Sequence, residues 1–88
     1  MERVEAELFT DGGNDAVVRL PRRNFPGVLI QGDTLSILQS NVAELVELCA
    51  AGDLKEAQHV ASLLQADLGA KLQRYTAALE AHGISRPF

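Results

Sequence analysis

The chain has a single cysteine, Cys49, among its 88 residues, and no tryptophan. One thiol cannot form an internal disulfide, so the fold does not rely on an oxidising compartment. Basic residues are also few: eight Lys and Arg stand against twelve Asp and Glu, for a net charge of −4. That balance argues against general nucleic-acid or anionic-membrane binding, both of which need excess cations. No segment approaches the roughly 20 apolar residues needed to cross a bilayer. The N-terminal residues, Met1 to Phe9, lack the basic flank and unbroken apolar run of a signal peptide, so the expected location is the cytoplasm.

Apolar residues make up 47% of the chain, too many for a disordered polypeptide. Residues 1–88 are expected to form one domain. A domain this small buries only roughly 60–65% of its unfolded surface, and association is a common remedy for such a thin margin.

Strand signals fill residues 1–32. Asp11-Gly12-Gly13-Asn14-Asp15 is dense in residues that tolerate turns. With those five as the loop, Thr10 faces Ala16, Leu8 faces Val18 and Ala6 faces Leu20, giving an apolar face together with Val4. The other face sets Phe9 across from Val17 and Glu7 across from Arg19, an opposite-charge pair. Pro21 and Pro26 interrupt the pattern, and Gly27-Val28-Leu29-Ile30-Gln31 reads as a short third strand, buried on both faces or lying at an edge beneath the helices.

Helix signals fill the remainder. Asp33 is the expected N-cap of a first helix over 33–51, whose stripe of Leu35, Leu38, Val42, Leu45, Val46 and Cys49 is the expected core face. Asp53-Leu54-Lys55-Glu56 is a capping-box pattern that starts a second helix over 53–82, ended by Gly83. The short connection makes the two helices antiparallel neighbours. The second helix has a main stripe of Leu54, Ala57, Val60, Ala61, Leu64, Leu68, Leu72, Tyr75 and Leu79. The fold class is therefore α+β: a two- or three-stranded antiparallel sheet followed by a long antiparallel helical hairpin.

No catalytic or metal-binding constellation accompanies these elements, and no cofactor is expected. His59 and His82 stand 23 positions apart on one helix and cannot share an ion within one chain. Cys49 falls on the core stripe with only acidic neighbours in sequence, a setting for a small buried hydrophobe rather than a nucleophile. Gly12-Gly13 lacks the spacing of a phosphate loop. Arg19, Arg22 and Arg23 beside Phe25 raise RNA contact as an option, but pairing across the strands and loop solubility also account for them. The chain reads as a non-enzyme.

Two surfaces remain as candidates. Residues 33–53 carry Asp33, Glu44, Glu47 and Asp53 and no basic residue, so all of the net charge lies there. Ile37, Ser40, Asn41, Glu44, Glu47 and Leu48 occupy the side away from the core stripe and form a candidate partner-binding face for a basic protein. The alternative packs Ile37 and Leu48 on the hairpin and leaves the acids solvated. On the second helix, His59, Leu63, Ala66, Ala70, Ala77 and Ala81 form a stripe of mostly small residues, a candidate interface for a homodimer.

The run from Arg23 to Leu35 and the closing Ala81-His82-Gly83-Ile84-Ser85-Arg86-Pro87-Phe88 resemble a family of short bacterial proteins without assigned activity. In size and acidity the chain is similar to immunity proteins, which neutralise a paired toxin by binding it. That likeness is one of type and carries over no site residue; together with the acidic first helix it makes the leading expectation a small protein-binding module whose first helix meets a basic toxin domain and excludes its substrate. A structural or regulatory homodimer joined through the second helix is the other expectation.

Overall fold

The computed structural model describes residues 1–88 and has the expected α+β order: β1 (Glu7–Leu8), β2 (Ala16–Arg19), β3 (Gly27–Leu29), α1 (Gly32–Ala50) and α2 (Leu54–Ala81). The chain forms two compact units. One comprises Met1–Ile30 with Lys71–Phe88, the other Gln31–Ala70, so α2 contributes to both.

In the first unit the three strands form one antiparallel sheet in the order β1-β2-β3. Glu7 pairs with Arg19 and Leu8 with Val18, the expected register. The turn supports it: the Asp11 carboxylate accepts the Gly13 N–H at 3.1 Å, and the Thr10 hydroxyl accepts the Val17 N–H at 3.0 Å. Asp15 takes a left-handed backbone with φ of 58°, which Asp tolerates better than most residues. Arg19 binds both Glu7 carboxylate oxygens, at 2.8 and 2.9 Å. That contact holds the Glu7 carboxyl below its ordinary pKa and pushes the Arg19 guanidinium up.

The sheet packs on α2 through the face opposite to the one expected. Val17 is fully buried against Tyr75, Ala78 and Leu79 of α2, with Phe9, Val28 and Ile84 packed around them. Of the expected face Ala16 is buried and Thr10 and Val18 are half-buried, whereas Val4, Ala6, Leu8 and Leu20 are exposed. Both faces of the hairpin offer apolar residues, so alternation alone does not choose between them. The choice falls to the row Phe9, Val17 and Val28, one residue from each strand segment, which α2 can cover. Nor is β3 buried on both faces: it is an edge strand with Val28 half-buried and Leu29 exposed.

Polar contacts fasten α2 to the sheet. The Tyr75 hydroxyl donates to the Pro26 carbonyl at 2.8 Å, Lys71 Nζ reaches Asp15 at 3.1 Å, and Arg74 donates to the Asp11 carboxylate at 2.8 Å. Gly83, with φ of 68°, closes the helix: the Ile84 N–H bonds the Leu79 carbonyl at 2.9 Å and the Gly83 N–H bonds that of Glu80 at 3.2 Å.

In the second unit α1 starts one residue earlier than expected. Gln31 is the N-cap and makes no side-chain cap bond. Asp33 lies inside the first turn, where its charge suits the positive helix end. At the other end Gly52 (φ 74°) ends α1, and the Asp53 N–H bonds the Leu48 carbonyl at 3.0 Å. The Asp53 carboxylate then accepts the Glu56 N–H at 3.2 Å and caps α2. One residue finishes one helix and begins the next.

The inward positions of α1 are Thr34, Leu38, Asn41, Leu45 and Leu48, all half-buried; Ala43 is half-buried as well. Those of α2 in this unit are Ala57, Val60 and Leu64, buried, with half-buried Asp67. Both sets alternate steps of three and four residues, the spacing by which two packed helices face each other. The expected core stripe of α1 is thereby split. Leu38 and Leu45 enter the seam, whereas Leu35, Val42, Val46 and Cys49 are exposed. Leu54 and Leu68 of the expected α2 stripe are exposed too, as is Leu72 in the first unit. A seam between two helices is narrower than the apolar arc these helices carry, and the surplus has no partner within the hairpin.

Candidate functional site

A two-helix seam has two flanks. Because antiparallel helices turn in opposite senses when viewed from one end, residues that precede seam positions on both helices emerge on the same side, and residues that follow them emerge on the other. On the preceding side lie Ile37 and Glu44 of α1 with Glu56, Leu63 and Ala70 of α2, all exposed. Ser40 and Glu47 border this flank on α1, His59 and Ala66 on α2, again all exposed. Four members of each candidate surface read from the sequence thus meet on one acidic, partly apolar flank.

The remaining members divide differently. Asn41 and Leu48 of the proposed partner face turn into the seam and are half-buried, so they are not part of an outward surface. Ala77 and Ala81 of the proposed dimer face are exposed but belong to the first unit.

The flank on the following side is a surface the sequence reading did not isolate. It consists of Leu35, Val42 and Cys49 on α1 and Leu54, Ala61 and Leu68 on α2, with Val46 beside them, and it holds no ionisable side chain other than the Cys49 thiol. The three-and-four alternation of Thr34, Leu38, Asn41, Leu45 and Leu48 was the signal that separates it from the seam.

In the first unit the open face of the sheet leaves Leu8, Leu20 and Leu29 exposed, and a recess of ≈ 270 Å³ there is lined by Val18, Leu20, Arg23, Phe25, Pro26 and Gly27. Arg19, part of the basic cluster read from the sequence, is engaged by Glu7 and by the Asn24 carbonyl at 3.2 Å. Arg22 and Arg23 are exposed in the loop.

Chemistry-bearing groups are dispersed. No three His, Cys, Asp or Glu side chains come together as a metal site. His82 contacts the Ala78 carbonyl at 2.9 Å and meets the Phe9 ring edge-on, with centroids 4.9 Å apart. No buried side-chain polar atom lacks a hydrogen-bond partner. No helix is long and apolar enough to cross a membrane.

No curated protein and no solved structure matches the chain. Over residues 1–88 the chain belongs to a family of unknown function, DUF6959.

Proposed function

We propose that this protein is a small acidic protein-binding module, without catalysis of its own, that engages a basic partner through the acidic flank of its helical hairpin. The observation that carries this reading is the joining of exposed Ile37 and Leu63 with Glu44, Glu47 and Glu56 on one side of the pair. Apolar anchors with a like-charged border are suited to steer and then hold an oppositely charged surface. Neutralisation of a basic toxin domain, as immunity proteins do, is the form of binding that this chemistry fits best.

The test is co-purification with the product of the adjacent gene, followed by association kinetics. The double variant Glu44→Lys, Glu47→Lys is expected to slow association at least about tenfold at low salt, with little change at high salt. An unchanged rate removes the acidic flank from the interface. A second reading, a homodimer through α2, rests on the exposure of His59, Leu63, Ala66 and Ala70, and the carboxylates of Glu44, Glu47 and Glu56 on the same flank count against it. Sedimentation of Ala70→Glu against the wild type tests it, since that variant would dissociate such a dimer.

A further inference from the structure

We infer that a second copy of this chain docks on the uncharged flank of the hairpin, so that two hairpins close into a four-helix bundle. This goes beyond the proposed partner binding, which uses the opposite flank.

The first support is the exposure of large aliphatic side chains. Leu54 is 79% exposed, Val46 63%, Leu35 55% and Leu68 54%, on helices whose seam residues are half-buried on α1 and mostly buried on α2. Two amphipathic helices with an apolar side left over are half of a four-helix bundle, and a second hairpin is the geometric complement. The pairing would be isologous, each copy presenting the same residues to the other.

The second support is charge, and it selects the occupant. Residues 31–70 carry six carboxylates (Asp33, Glu44, Glu47, Asp53, Glu56 and Asp67) and one lysine, Lys55. Two copies would repel through any face bearing those acids. The uncharged flank, bordered by Gln39, Gln58 and Gln65, is where they approach without opposition. A basic foreign protein would find no charge to meet there.

Sedimentation equilibrium of the full chain tests this directly. The wild type is expected at twice its 9.5 kDa mass. Val42→Glu and Leu68→Glu, each placing two carboxylates in the bundle, should weaken association at least about 30-fold. Leu63→Glu, on the other flank, should leave it intact, and so should the Glu44→Lys, Glu47→Lys pair that probes partner binding. Cys49 supplies a readout that needs no substitution and survives if the Glu variants fail to fold. Its reaction with a thiol reagent should slow as wild-type concentration rises, because the second copy covers that flank. A wild type that stays monomeric with Cys49 equally reactive at every concentration overturns the inference and leaves the flank to a foreign occupant. A dimer broken by Leu63→Glu, or indifferent to both Val42→Glu and Leu68→Glu, overturns it equally.

Discussion

Tyr75 is the residue on which the first unit most depends for specificity. Its ring is buried beside Val17 and Leu79, and its hydroxyl satisfies the carbonyl of Pro26, 49 positions away in sequence. Tyr75→Phe should keep the packing and leave that carbonyl without its donor, lowering stability by about 1–2 kcal/mol in urea unfolding. The Glu7–Arg19 pair makes a smaller, pH-dependent contribution. Folding lowers the Glu7 pKa, so the contribution is complete above the ordinary carboxyl range and is lost as pH falls through the lowered value. Glu7→Gln should therefore narrow the difference in unfolding midpoint between neutral and acidic solution, with the wild type losing more on acidification.

Among the elements, two glycines should respond with opposite sign to the same substitution. Gly52 ends α1 at a φ of 74°, and a Cβ there would meet open space, so Gly52→Ala isolates the backbone penalty. It should destabilise by about 1 kcal/mol. Gly69 lies inside α2, exposed and equally free of neighbours, and Gly69→Ala should stabilise by up to about 1 kcal/mol. Thermal melting of the pair checks both signs together. The hairpin register was legible because turn residues and an opposite-charge pair agree on it, Asp11 through Asp15 on one side and Glu7 with Arg19 on the other. The face that packs was not legible, since Leu8 and Val18 are as apolar as Phe9 and Val17 and only a distant helix decides between them. The helices were legible as elements for the same reason that their core was misread. A wheel averages Leu35 and Val42 together with Leu38 and Leu45, whereas an antiparallel pair covers only the narrower arc. Half of the acidic flank followed from charge counting on α1, and its union with Leu63 and Ala70 required knowing how the helices face each other.

For the whole molecule, the two flanks call on different physics. Contacts made by Glu44 and Glu47 should weaken steeply with added salt, and contacts made by Val42 and Leu68 should not. A salt titration followed by both sedimentation and partner association would separate the two surfaces in one preparation. A last consequence comes from α2, the one element common to both compact units. Melting either portion would fray a helix end into the other, so loss of order should spread in a single cooperative transition. Tyr75 is the only tyrosine, no tryptophan is present, and it sits in the first unit alone. Its fluorescence therefore reports that unit, while circular dichroism reports the helices of both. The two melting curves should superimpose, and separated midpoints would mean that the shared helix does not bind the fates of its ends together.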